Sequence, residues 1–340
     1  MELLYYQDPI GSFGDDLNSS IWQQLLPPHV FEAVDTALMG IGSIFNEGVA
    51  PLSRTRGKRV FVIGSGAGYG ALPTGWDRWN ILGVRGPLTA ELIGKPELAM
   101  TDSAALLSSL PSIASVSSRT DSILLIPRAH SITRGRWDRV AREAGMTFVD
   151  PRWPVATIMK HFSYAKLVVT EAMHGAIVAD TLRIPWLPIV IAPSTLRFKW
   201  KDWTLSLGLP YEPVAVGASS AWEAIFHKNL VCRAKMQGLV APALMRNMDS
   251  AVYLIADFRE RYKTPLADKE EVQEKGTSGH LWQLLRWTSR ALDGWFVENA
   301  ARRLRMIAAL NEPYLSRDEA FSLRVEQLSG AVHQFVKAVS

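Results

Sequence analysis

The sequence predicts an α/β protein with two parallel-sheet domains facing across a cleft and a helical C-terminal extension. Three observations predict it. Through roughly the first 210 positions, short apolar runs alternate with helical patterns, the rhythm of βαβ units whose strands are covered on both faces. Ser108–Thr120 is serine-rich and free of aromatic residues, as domain linkers are. After Pro213 the pattern turns helical. A chain of 340 residues is long enough for two ordinary domains. The expected division is 1–115, 116–235 and a helical 236–340.

In the first half, Leu3–Tyr6 reads as a strand running into a turn at Gly11–Asn18, where Asp15, Asp16 and Asn18 are capping candidates for a helix over Ser19–Leu26. Pro27 and Pro28 stop that helix. Thr36–Phe45 supplies a second strand and its exit loop, and Val60–Ile63 a third. The glycines from Gly64 to Gly70 fail the dinucleotide fingerprint: Tyr69 stands where glycine or alanine is required, and no helix follows directly. That loop reads as a close approach of backbone to backbone or ligand. Asn80–Val84 is a strand, Pro87 opens a helix over Leu88–Ile93, and Thr101-Asp102-Ser103 is a polar turn.

The second half begins with strand Ile123–Ile126 and continues through helix Trp137–Ala144, closed by Gly145, strand Thr147–Val149 and helix Val155–Phe162. Strand Lys166–Thr170, a helix starting near Gly175, strand Trp186–Ile191 and helix Phe198–Ser206 follow. Together the halves read as two Rossmann-like domains. Further helices are expected over Ala221–Asn229, Met236–Tyr262 and Leu281–Leu310, with Lys263–His280 as a polar loop.

Composition bounds the function. Hydrophobic residues make up 48% and charged ones 21%, normal for a globular chain. A net charge of +4 is too weak to argue for nucleic acid as a partner, and no nucleic-acid-binding motif accompanies it. Cys232 is the only cysteine, which excludes an intrachain disulfide and a cysteine metal site, and no histidine spacing suggests a metal. No signal-peptide pattern or run of about 18 apolar residues occurs, so the expected location is the cytoplasm. Leu281–Leu310 combines Trp282, Trp287 and Trp295 with Arg286, Arg290, Arg302, Arg303 and Arg305. The plain reading is a helix packed on the body with its arginines in solvent. The alternative is a membrane-surface helix, which would hold the protein at the inner face of the membrane.

The chain is organised around Leu167–Asp180, where a buried strand, a sharp turn and a helix follow one another. Turns at the C-terminal edge of a parallel sheet are where α/β proteins put ligands, and a helix N-terminus there favours an anion. His174 lies on this turn and is suited to donating to phosphate or moving a proton; the plain alternative is a satisfied core histidine. Glu171 either orients it or steadies the helix dipole. Arg128 ends the strand Ile123–Ile126 and suits a carboxylate or phosphate, with a salt bridge to Asp150 or Glu143 as the alternative. Arg85 begins a helix, against the dipole, an arrangement a bound ligand would compensate. Arg197 and Lys199 share a helix with Trp200 and Trp203, which are either buried or stacked on sugar rings.

Six stretches together resemble polysaccharide pyruvyl transferases, above all the bacterial exopolysaccharide ketal pyruvyltransferases. They are Gly14–Asn18, the Gly64–Gly70 loop, VRGPLTAEL from Val84, TDSA from Thr101, TEAMHGAIVAD from Thr170 and FKWKDW from Phe198. The likeness covers about residues 1–210. It implies a GT-B-like fold with phosphoenolpyruvate as co-substrate and no cofactor or metal. Arg85, Arg128, His174 and Lys199 match the family's cationic donor-site positions. The family more often carries an arginine two residues before the histidine. Here Ala172 and Met173 precede His174, and Lys199 or Arg197 takes up that charge.

The resulting expectation is transfer of the enolpyruvyl group to two hydroxyls of one terminal sugar, on an exopolysaccharide or a lipid-linked repeat unit. The expected catalytic residues are His174, Arg128 and Asp16. Arg85, Arg128, His174, Lys199, Arg197 and Glu171 are expected at the donor, and Asp15, Asp16 and Asn18 at the acceptor. Two other classes stay open: a nucleotide-sugar glycosyltransferase of the same architecture, and a non-catalytic sugar-binding or scaffold protein of a membrane assembly.

Overall fold

The computed structural model describes residues 1–110, 120–236, 250–262 and 289–340. The central part of the expected linker, the polar loop before His280, and Trp282, Arg286 and Trp287 lie outside the described residues.

Two all-parallel sheets form the frame. The first contains β1 (Glu2–Leu4), β2 (Thr36–Met39), β3 (Arg59–Ser65) and β4 (Asn80–Val84), in that spatial order. The second contains β5 (Ser122–Ile126), β6 (Thr147–Phe148), β7 (Ala165–Thr170), β8 (Trp186–Val190) and β9 (Val214–Ala215), in the order β6-β5-β7-β8-β9. Apolar residues meet across each ladder: Leu38 pairs with Phe61, and Val169 with Leu125 and Leu187. β2, β3, β7 and β8 are buried on both faces along nearly their whole length, which is why they read as continuous apolar runs rather than alternating ones.

The second sheet reverses direction once. From β5 the chain steps to β6 on one side, then crosses to β7 on the other. The C-terminal ends of β5 and β7 therefore border a crevice at a topological switch point, where open α/β sheets bind ligands. Arg128 follows β5 and His174 follows β7.

The helices are α1 (Phe13–Leu25), α2 (Leu52–Thr55), α3 (Pro87–Leu92), α4 (Ala129–Arg134), α5 (Trp137–Ala144) and α6 (Val155–Phe162). They continue as α7 (Met173–Thr181), α8 (Arg197–Ser206), α9 (Ala221–Met236), α10 (Ala251–Arg261), α11 (Asp293–Leu310) and α12 (Asp318–Val339). α1 starts six residues earlier than the expected Ser19. Its N-cap is Ser12, and Asp15 and Asp16 occupy the first turn instead of preceding the helix. α11 buries Val297, Ala300, Ala301, Leu304 and Ile307 against the core of the second sheet. α12, which the sequence reading left without an element, packs Phe335 on Phe61 of the first sheet with ring centroids 5.0 Å apart. One apolar core runs through both layers, joining Leu17 and Trp22 to Ile126, Trp186, Trp200 and Phe335. Among the described residues, no helix is long and apolar enough to cross a membrane.

Candidate active site

The site lies where the two layers meet. α1 enters the second layer through its first turn: the Phe13 amide donates to the Pro151 carbonyl at 2.8 Å. The imidazole of His174, on α7, presses against the same turn. A Cβ built on Gly14 would lie 1.8 Å from His174 Nδ1, so this contact admits only glycine. On the opposite edge of the ring, Nε2 lies 3.7 Å from Oδ2 of Asp102, and both atoms are buried without a hydrogen-bond partner.

Asp15 borders the same space. Its Oδ1 and His174 Cε1 both lie within 3.7 Å of where a Gly42 side chain would begin. The Ser12 hydroxyl donates to Asp15 Oδ2 at 2.6 Å. Burial raises the Asp15 carboxyl above the usual carboxylate range, with Ser12, His174 and Lys199 pulling the other way.

The cations gather from α8 and β5. The buried Lys199 Nζ donates to the Tyr69 hydroxyl at 2.5 Å and sits 4.8 Å from the Tyr69 ring centroid. Tyr69 holds a left-handed backbone, φ 56°, strain of the kind that accumulates at functional sites. Burial, followed by repulsion from Arg128 and Arg85, depresses the Lys199 ammonium below its usual value, although Tyr69 supports the charge. Arg197 is buried and faces the Tyr211 ring at 5.3 Å.

The structure thus brings His174, Lys199, Arg128 and Asp15 together, and it gives other expected site residues different surroundings. Arg85 is fully buried and donates from Nε to Asp202 Oδ2 at 3.1 Å, from Nη1 to Ser43 and from Nη2 to the Ala67 carbonyl. Asp202 compensates the charge at that helix start. Glu171 is also fully buried, and it makes no bond to His174. Its Oε2 accepts from the Arg128 amide and the Ser131 hydroxyl, and its Oε1 from the Ala192 amide and Thr195. It clamps the ends of three neighbouring strands.

Asn18 spends its amide on the carbonyls of Asp15 and Ile41, the Ile41 amide and Trp22. Asp16 accepts from the Ser12 amide at 3.1 Å and closes the first turn of α1. Asp15, not Asp16, is therefore the α1 carboxylate beside His174. Trp200 and Trp203 are buried, packed on Tyr211 and Trp186, so sugar stacking is closed to them. Asp150 is held by Arg152. The sequence reading passed over Asp102 and Tyr69 as site residues, although both stood inside stretches it singled out.

No family model and no solved structure matches this chain. The chain is similar to the succinoglycan biosynthesis protein ExoV of Rhizobium meliloti (strain 1021), 36% identical over 228 residues, or 66% of this chain and 71% of that protein. The chain belongs to the family of this succinoglycan biosynthesis protein. In this member of the ExoV family the converging groups are two carboxylates, an imidazole and a lysine, with Arg128 and Arg197 beside them. That inventory suits an anionic ligand on one side and a group that gives up a proton on the other.

Proposed function

We propose that this protein is a phosphoenolpyruvate-dependent ketal pyruvyltransferase acting on a terminal sugar of an exopolysaccharide or lipid-linked repeat unit. A relative named for succinoglycan biosynthesis supports the polysaccharide part of this reading. The donor part rests on one observation: Lys199 is buried beside Arg128, whose like charge repels it and adds to the effect of burial, near the C-terminal edge of a parallel sheet. A carboxylate and a phosphate on one small molecule would relieve that repulsion.

In this reading the second sheet carries the donor and the first the acceptor, with 1–115 and 116–235 as facing halves of a GT-B-like arrangement. Lys199, Arg128 and Arg197 hold the donor carboxylate and phosphate and stabilise the leaving phosphate. The methylene carbon of the donor gains a proton, and oxocarbenium character develops at the neighbouring carbon. One sugar hydroxyl attacks that carbon and loses its proton; the second hydroxyl then displaces phosphate. The two protons lost by the hydroxyls balance the one gained by the methylene carbon and the one that leaves on hydrogen phosphate. In this reading His174 and Asp15 handle the acceptor's proton.

The test is a thermal-shift comparison followed by a phosphate-release assay. Phosphoenolpyruvate should raise Tm, and nucleoside diphosphates should not. Phosphate release should then depend on a saccharide acceptor. Stabilisation by a nucleoside diphosphate instead would turn the reading to a nucleotide-sugar glycosyltransferase, and stabilisation by neither to a binding or scaffold protein.

A further inference from the structure

Asp102 and His174 come from opposite layers and meet in the interior. Asp102 is fully buried. Its Oδ1 accepts from the Ala104 amide at 3.0 Å, capping the helical turn Ser103–Ser109, and this fixes the direction of the carboxylate. Its Oδ2 points at His174 Nε2, 3.7 Å away, and neither atom has another partner. Two buried polar atoms left unpaired are costly, and the closest remedy for each is the other. Solvent reaches 15% of the His174 side chain, but not Nε2.

We propose that Asp102 is the positioning residue of His174: it receives the Nε2–H and leaves Nδ1 as the ring nitrogen that exchanges a proton with the cleft. A neutral imidazole carries one N–H, and a buried carboxylate facing Nε2 puts it there. Nδ1 then holds a lone pair on the edge that faces Gly14, beside Asp15. A lone pair accepts and does not donate. Within the proposed transfer reaction, on which this step rests, His174 therefore acts first as base toward a sugar hydroxyl. As the hydroxyl oxygen bonds to the ketal carbon, its proton passes to Nδ1. The imidazolium is held by Asp102, and the proton leaves on the departing phosphate.

The experiment uses the full chain with 15N-labelled histidine. Long-range proton–nitrogen correlation at alkaline pH reads the His174 tautomer, assigned with His174→Gln. Wild type should show the Nε2–H form. Asp102→Asn, whose amide can donate to Nε2, should shift it toward Nδ1–H. In the same variant kcat should fall about 100-fold or more with the phosphoenolpyruvate KM changed less than about threefold. Asp102→Asn combined with His174→Gln should be no slower than His174→Gln alone, because Asp102 acts through the histidine. If the Asn variant does not fold, Asp102→Ser keeps a capping oxygen but is too short to reach the ring, and the same readouts apply. An Nδ1–H tautomer in wild type, or a tautomer indifferent to Asp102, overturns the proposal. A chain without transfer activity whose tautomer follows Asp102 supports the positioning and sinks the transfer reaction. Transfer activity with a tautomer indifferent to Asp102 does the reverse.

Discussion

Arg85 and Asp202 form an ion pair between the two layers, 3.1 Å from Nε to Oδ2, with both side chains fully buried. Arg85 precedes α3 and Asp202 lies on α8. The carboxylate also accepts from the amide and hydroxyl of Thr89. The guanidinium lies against Gly66, where a Cβ would come within 2.2 Å of Cζ. Asp202→Asn leaves the arginine charge buried with its main partner gone, and should cost about 3–5 kcal/mol of unfolding free energy in urea. Arg85→Met with Asp202→Leu removes both charges and should recover most of that loss. A cost under about 1 kcal/mol for Asp202→Asn would show that the layers are held by apolar contact alone.

Glu223 makes stability depend on pH. Its carboxylate accepts from Trp137 Nε1 and from the amide and hydroxyl of Ser219. Burial nevertheless pushes its pKa from 4.5 up to about 7. Between those two values the folded state holds a proton that the unfolded state has released, so stability falls as pH rises through that window. The full cost is present above about pH 7 and is of the order of 3 kcal/mol at most. Urea midpoints between pH 4.5 and 7.5 should trace this decline. Glu223→Gln should flatten it, whatever its effect on the absolute level. An unchanged slope in that variant would assign the pH dependence to other groups.

Eight of the nine described strands and most of the helices were legible, because buried parallel strands are short and apolar and amphipathic helices are periodic: Asn80–Val84, Trp137–Ala144 and Val155–Phe162 match the structure residue for residue, whereas the two-residue β9 (Val214–Ala215) falls after Pro213, where only helices were expected. α12 was not expected, although Phe321, Leu328 and Phe335 recur on one face, because those apolar residues stand seven apart among polar ones. At the site, spacing located the turn at His174 and the strand end at Arg128, since both follow from local pattern. It did not reveal that Asp202 neutralises Arg85 or that Asp102 faces His174. Those pairs join residues from different layers, and their partners are far apart in sequence. Glu171 was misleading for a related reason: a buried glutamate clamp and a ligand-facing glutamate look alike until the four donors around it are located.

The outer row of α11 remains exposed: Leu292, which caps the helix, and Trp295, Met306 and Leu310 all stand in solvent, with Arg302 in the same row. The opposite face is the one buried on α5 and the second sheet. Tryptophan and arginine on one exposed row suit the headgroup zone of an anionic membrane. The protein should therefore co-sediment with phosphatidylserine vesicles at low salt, and less at high salt. Trp295→Ser with Arg302→Ser changes only exposed side chains, and should weaken binding severalfold with Tm within about 2 °C of wild type. Equal binding by this variant would rule out α11 as the contact.

Lys199 links the chemistry of the site to the stability of the fold. Its folded-state pKa is depressed from the usual 10.5, first by burial and then by Arg128 and Arg85. Between the depressed value and 10.5 the unfolded state holds the proton and the folded state does not, so the Lys199 contribution to stability rises with pH there. Lys199→Met keeps the stem and removes the charge. It should raise Tm near neutral pH, remove that alkaline rise, and abolish stabilisation by phosphoenolpyruvate. A bound anion restores support for the ammonium, so phosphoenolpyruvate binding at alkaline pH should take up protons in wild type and not in Lys199→Met. Calorimetry in buffers of different ionisation enthalpy measures that uptake. Tyr69→Phe removes the hydroxyl that accepts from Lys199 and should weaken phosphoenolpyruvate binding by about 1–2 kcal/mol while the fold persists. A Lys199→Met protein that still gains Tm with phosphoenolpyruvate would move the donor away from α8 and leave Arg128 to be tested as the principal anion contact.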